Sequence, residues 1–259
     1  GTALAALPDG GVLMEEVGEI KMVTPKGALD PSFSTTTVEV PGRVGDLIQQ
    51  PDGKVVFTGE FTRVDGVPRR GMARLNLDGT LDPSFAPDRK VPDFYYEDIQ
   101  EHVRLGHIRY QPWDGKLVVL GGYWEEDVVR LNPNGSLDVE FDLLGISPWI
   151  TGLELQADGT VYVASEGAVI RLKADGSSDP GFRWEGNFTA LALQGDGKLL
   201  IAQRFDNQSS RLVRLNVDGS PDTAFICNLD LDAYHILLPT DGRIVVAGSS
   251  MARFNPDGT

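Results

Sequence analysis

Apolar residues gather in short recurring runs: KVVF at 54–57, KLVVL at 116–120, TVYVA at 160–164, KLLIA at 198–202 and RIVVA at 243–247. Each has the length of a strand and lacks polar alternation, which predicts strands covered on both faces. Each follows an Asp-Gly turn. These turns are QPDGK at 50–54, QPWDGK at 111–116, QADGT at 156–160, QGDGK at 194–198 and PTDGR at 239–243, with LPDGG at 7–11 as a sixth. Asp-Gly between apolar runs is a strong hairpin signal, because Gly takes a positive φ cheaply. No stretch keeps a helical period; the irregular segment 86–110 predicts at most a helical turn at 97–105.

A second line alternates with these turns. It reads RLNLDGTLDPSF at 74–85, RLNPNGSLDVEF at 130–141, RLKADGSSDPGF at 171–182 and RLNVDGSPDTAF at 214–225. A divergent copy, VTPKGALDPSF, lies at 23–33, and a truncated one, RFNPDGT, at 253–259. Equivalent glycines recur every forty to sixty residues or so, the period of propeller blades. The predicted fold is therefore all-β: a β-propeller in one domain, of six blades with three to four antiparallel strands each. The blades fall at about 1–33, 34–85, 86–141, 142–182, 183–225 and 226–259. A seventh blade supplied by sequence beyond the given ends is the alternative, and an open blade edge would invite a partner chain.

The repeated line reads as the corner of a blade. Its first Asp (Asp78, Asp218) precedes the turn Gly, and its second is placed to accept backbone hydrogen bonds. Each copy opens on a cation: Lys21, Arg74, Arg130, Arg171, Arg214 and Arg253. Pairing of Arg74 with Asp82, Arg130 with Asp138, Arg171 with Asp179 and Arg214 with Asp222 would pin the corners. The closing Phe33, Phe85, Phe141, Phe182 and Phe225 would anchor one blade on the next. A pattern written into every blade serves construction better than catalysis, which needs a site once.

The unit PDGK, apolar run, RLN-x-DGSLD-x-x-F resembles the delta-60 repeat family of bacterial β-propellers, from Ala3 onward and most sharply over 44–85. The resemblance implies an extracellular or surface-associated bacterial protein and brings no catalytic residues with it. The chain departs from the pattern at Lys26-Gly27, at Ser178 and Pro221, and where the sequence stops at Thr259.

Charge and composition narrow the function. A formal net charge of −15 without a segregated basic patch disfavours nucleic acid and suits divalent cations. Cys227 is the sole cysteine, so no intrachain disulfide forms; at a blade junction it reads as a small buried apolar residue. No apolar run approaches the roughly 18–20 residues of a spanning helix, and the opening GTALAALPDGG lacks the features of a signal peptide.

Several groups of residues could carry chemistry. Asn76, Asp78 and Asp82 offer oxygens in one loop and are candidate calcium ligands, although the distal Glu of a calcium loop is missing; otherwise no cofactor is implied. The long third-blade link, with the turn after it, gathers Tyr95, Tyr96, Tyr123, Trp124 and Glu125. Rings that stack on a pyranose and acids that accept from its hydroxyls suit glycan recognition, and a protein partner is equally accommodated. The same insertion could instead bury its own aromatics over a blade edge. Glu97 with Asp98, or Glu125 with Asp127, could serve a glycoside hydrolase, whose outcome depends on carboxylate separation. His102, His107 and His235 show no metal spacing, and the Arg-rich 63–70 link reads as a solvated hairpin tip. The function predicted is a noncatalytic binding or structural scaffold, with a polysaccharide hydrolase and a self-assembling subunit as rivals.

Overall fold

A computed structural model describes residues 4–259 except 8, 40–42, 88–106, 122–126, 142–149, 166, 207–208, 228 and 230. Among the described residues every regular element is a strand, and no helix is long and apolar enough to cross a membrane. The chain divides into two compact units, Gly1–Glu140 and Phe141–Thr259.

The first unit holds three antiparallel sheets. One is built from β1 (Leu4–Ala6), β2 (Val12–Glu16), β3 (Glu19–Val23) and β4 (Thr36–Glu39). The pairing of β4 with β3, Ile20 opposite Thr36, moves 36–39 out of the second repeat and into the first sheet. The second sheet starts with β5 (Arg43–Gln49) and β6 (Val55–Glu60). The chain then leaves it for a small hairpin, β7 (Arg63–Val64) and β8 (Val67–Pro68), which extends the first sheet through β4. It returns as β9 (Met72–Leu75) beside β6. The hairpin tip is Asp65-Gly66, both at positive φ (47° and 75°), the geometry a two-residue turn between twisted strands requires. The third sheet is β10 (Ile108–Tyr110), β11 (Leu117–Gly121) and β12 (Asp127–Leu131).

The second unit repeats this plan. Its sheets are β13 (Ile150–Leu155), β14 (Val161–Ser165), β15 (Ala168–Leu172) and β16 (Ser178–Glu185); then β17 (Asn187–Leu193), β18 (Leu199–Asp206) and β19 (Ser209–Leu215); then β20 (Ala233–Leu237), β21 (Ile244–Gly248) and β22 (Met251–Phe254).

The middle strands carry the apolar runs. Val55, Val56 and Phe57 are fully buried on both faces of β6, as are Val161 to Ala164 on β14 and Leu199 to Ala202 on β18. Burial at about 25 cal/mol per Å² of apolar surface is the force that holds such strands inside. The first strand of several sheets carries a bulge at one position, between Val44 and Asp46, Ile150 and Gly152, Phe188 and Ala190, and Ala233 and His235. A bulge bends and twists the strand locally.

Candidate functional site

Both repeated lines fold into the same turn. In the first, Gln50 N–H donates to the Lys54 carbonyl at 2.7 Å, and Gly53 N–H donates to the Gln50 carbonyl at 2.9 Å. In the second, Asn76 and Thr80 (2.8 Å) and Gly79 and Asn76 (3.0 Å) repeat that pair. Gly53 and Gly79 both sit at φ +82°, closing three-residue hairpins. The preceding Asp stiffens each loop: Thr80 N–H and Oγ1 donate to Asp78 Oδ1 at 3.0 and 2.6 Å. The two turns of one sheet also touch, because a Cβ on Gly53 would lie 2.3 Å from Leu77 Cδ2.

The corner itself is built by three side chains that the structure brings together. Arg74 Nε donates to Asp82 Oδ2 at 2.8 Å, and the guanidinium lies 4.8 Å from the Phe85 ring centroid. Arg74 Nη1 then reaches the Pro133 carbonyl, in the corner turn of the following sheet, at 2.8 Å. The second unit repeats the set. Arg171 meets Asp179 at 2.7 Å, Phe182 at 4.8 Å and the Val217 carbonyl at 2.6 Å. Arg214 meets Asp222 at 2.8 Å, Phe225 at 4.5 Å and the Pro256 carbonyl at 2.6 Å. Arg130 Nε lies 2.6 Å from Asp138 Oδ2, and Phe141 is buried. One planar guanidinium thus serves a carboxylate, a ring face and a neighbour's backbone, which an ammonium could not do.

Phe33, Phe85, Phe182 and Phe225 each sit on the next corner's Gly. A Cβ on Gly79 would fall 2.2 Å from the Ser34 carbonyl oxygen and 3.1 Å from the Phe33 ring. A Cβ on Gly219 would lie 2.8 Å from Phe182, and one on Gly258 3.0 Å from Phe225. At these corners glycine is needed both for the turn and for the approach of the neighbour.

A participant not read from the sequence is the Lys that ends the PDGK turn. Lys54 Nζ lies 2.7 Å from Asp82 Oδ2, Lys116 2.9 Å from Asp138 and Lys198 2.8 Å from Asp222. The signal was available: Lys stands at 54, 116 and 198, whereas Thr160 stands there in the sheet of Asp179, and Asp179 has Arg171 for its cation. Burial pushes the Asp82 carboxyl up, yet hydrogen bonds from Lys54, Ser84 and Arg74 outweigh it and hold it far below the ordinary carboxylate range. Lys198, opposed by some desolvation and helped by Arg214, brings Asp222 down to about 2.

The calcium candidates take up these roles. Asp78 Oδ1 is bonded within its own turn, and Asp82 accepts from Ser84 on Oδ1 and from two cations on Oδ2. Asn76 Nδ2 donates to Thr80 Oγ1 at 3.0 Å. Among the described residues no three His, Cys, Asp or Glu side chains come together as a metal set.

The first copy departs from the pattern. Met22 holds the position of Arg74 there, eight residues before Asp30; Lys21, one residue earlier on the strand, faces the other way and pairs with Glu16 at 3.2 Å and Glu19 at 2.8 Å on its own hairpin. Asp30 accepts from Ser32, by backbone at 2.8 Å and hydroxyl at 2.6 Å. The proposed ligand contacts Tyr95, Tyr96, Tyr123, Trp124 and Glu125 lie outside the described residues, as do Glu97, Asp98, His102 and the helical turn at 97–105. His107, which is described, stands 3.8 Å from Asp46, and His235 is exposed on β20. Cys227 is buried, and burial pushes its thiol up to about 11, the opposite of an activated nucleophile.

Antiparallel sheets joined corner to corner by a repeated Arg–Asp–Phe set define a repeat-built β-propeller. The chain matches the family described as "Domain of unknown function (DUF5122) beta-propeller" over residues 50–85, 114–141, 156–182, 194–225 and 240–259, more than half its length, and it belongs to that family. No curated protein sequence matches it. Similar solved structures include a streptogramin B lyase, 15% identical with a TM-score of 0.66, covering 97% of this chain and 78% of that one. Another is a gluconolactonase from Xanthomonas campestris, 13% identical with a TM-score of 0.56, covering 95% and 82%. A third is the extracellular domain of the one-component system BT4673 from B. thetaiotaomicron, 14% identical with a TM-score of 0.62, covering 97% of this chain and 32% of that one. At these identities the likeness is one of fold.

Proposed function

We propose that this propeller is a noncatalytic scaffold of the delta-60 repeat type that works outside the cell or on its surface and binds a protein or a glycan. The observation that carries this reading is the corner set itself: the same Arg–Asp pair recurs at residues 74, 130, 171 and 214. Groups repeated in this way consume their charges in holding blades together. The bacterial surface setting is supported by the delta-60 resemblance and by the likeness to an extracellular domain. Glycan or protein contact is assigned to Tyr95, Tyr96, Tyr123, Trp124 and Glu125, because rings that stack on a sugar face and an acid that accepts from its hydroxyls suit such recognition.

The lyase and gluconolactonase likenesses keep an enzyme as the rival, a polysaccharide hydrolase using a carboxylate pair being the form this sequence offers. Thermal unfolding against a glycan panel and against calcium, each with an EDTA control, tests the reading. A ligand at about 100 times its Kd stabilises a fold by roughly 2.7 kcal/mol. A shift with one glycan, abolished by Trp124→Ala, supports the binding module. A shift with calcium alone moves the corners to a metal role. Release of reducing ends from any polysaccharide in the panel overturns the noncatalytic reading.

A further inference from the structure

Asn134-Gly135 is the sole Asn-Gly pair in the sequence, and it stands where the corners at 78, 175, 218 and 257 carry Asp-Gly. Such a pair is chemically reactive, because Gly has no side chain to keep its amide nitrogen from the preceding carboxamide. Attack of the Gly135 nitrogen on Asn134 Cγ forms an N–Cγ bond. The Cγ–Nδ2 bond breaks, and ammonia leaves with the proton that the Gly135 nitrogen gives up. Solvent water then opens the succinimide. Opening at Cγ leaves aspartate; opening at the backbone carbonyl carbon leaves isoaspartate, with an extra methylene in the chain.

The native turn closes this route. Gly135 N–H donates to the Asn132 carbonyl at 2.8 Å, so the attacking nitrogen is committed to the turn. Asn134 is exposed, but its Oδ1 accepts from Ser136 N–H at 3.0 Å and from Ser136 Oγ at 2.9 Å, which pins the carboxamide. Gly135 itself is buried, and a Cβ there would lie 3.0 Å from Pro87 N and 3.3 Å from Phe85 Cε2. Reaction therefore waits on local opening.

The two products meet different surroundings. The sibling corner shows that aspartate fits: Asp218 Oδ1 accepts from Ser220 N–H at 2.9 Å and Oγ at 2.6 Å, as Asn134 does from Ser136. Hydrogen bonds from Ser220 hold the Asp218 carboxyl low, those from Thr259 hold Asp257 low, and the charges of Arg171 and Arg214 add to this. Those arginines donate to the carbonyls of Val217 and Pro256, the residues just before the two carboxylates. Arg74 makes the same bond to the Pro133 carbonyl, so a carboxylate at 134 would meet a cation already in place. Isoaspartate has no such fit. Its chain runs through Cγ, and the carbonyl of 134, which accepts from Ala86 N–H at 3.0 Å, leaves the backbone as a carboxylate.

We propose that Asn134 is a deamidation site that the native turn holds closed, that aspartate at 134 strengthens the corner through Arg74, and that isoaspartate opens it. This site is separate from the third-blade link and stands whether or not that link binds glycan.

The test keeps the full chain at mildly alkaline pH in native buffer and in urea. Residue 134 is followed by peptide mass spectrometry, with enzymatic methylation to mark isoaspartate. Conversion should run at least about tenfold faster in urea, since only the open turn reacts. Asn134→Gln should abolish the mass gain. After return to native buffer, the refolded fraction should carry aspartate and unreacted chains, with isoaspartate left in the unfolded fraction. Asn134→Asp should raise Tm by about 1–2 °C at low salt and lose that gain at high salt. Equal rates in the two buffers, isoaspartate in chains of parental stability, or an Asn134→Asp midpoint no higher than the parent's would each overturn the proposal.

Discussion

The corner at 74–85 and the corner at 21–33 share one turn and differ in almost everything around it. Around Gly79, Arg74 and Lys54 converge on a buried Asp82, Phe85 is fully buried, and Phe33 closes the Gly from the preceding sheet. Around Gly27, Met22 stands where Arg74 would, Asp30 accepts from its own Ser32, and among the described residues nothing lies within 4 Å of a Cβ on the Gly. The turn is therefore a local object, set by a Gly at positive φ and a short polar loop. The corner is a tertiary object that forms only where two neighbours supply its parts.

The comparison can be broken most forcefully at the ring. Phe85→Ala empties a fully buried site and should cost about 3–5 kcal/mol in chemical denaturation, whereas a loss under about 1 kcal/mol would show that the corner is not a packing anchor. Next comes the pair of glycines. Gly79→Ala places a Cβ 2.2 Å from a backbone oxygen and should cost about 3 kcal/mol, from strain at positive φ plus the clash. Gly27→Ala bears only the φ strain and should cost about 1 kcal/mol. Equal costs at the two positions would erase the distinction between them.

Acid probes the charges. Asp82 and Asp222 have native pKa values below their unfolded ones, so their stabilisation is complete above the unfolded carboxylate pKa of about 4 and is lost as pH falls towards 2. Unfolding midpoints should drop across that window. Asp82→Asn should start lower at neutral pH, with Arg74 and Lys54 left unmatched, and drop less on acidification. A parallel fall in both proteins would remove the carboxylate from the account. The smallest effect is expected at Thr160→Lys, which gives Asp179 the second cation its counterparts have and should raise Tm by about 1–2 °C.

Much of this was legible in the chain. The Asp-Gly turns, the doubly buried middle strands and the Arg–Asp spacing of eight residues are all written locally, and the hydrogen bonds of Asp78, Asp138 and Asp222 follow from them. Lys54 was not read as part of the corner, although it varies with the pattern, because its partner Asp82 lies 28 residues on. Lys21 was read as a corner cation, but it stands one residue before the Arg position, held here by Met22, and the alternation of the strand turns it towards Glu16 and Glu19 on its own hairpin.

The sequence by itself determined the elements and their turns, since φ preference, hairpin geometry and apolar run length act within a few residues. It also placed Arg, Asp and Phe at matching offsets in four repeats. Only the tertiary structure decided where 36–39 pairs, that 63–68 crosses to the first sheet, and that Phe33, Phe85, Phe182 and Phe225 come to rest on the following Gly. Those outcomes depend on which surface lies across a gap from which, and offsets along one chain do not encode that.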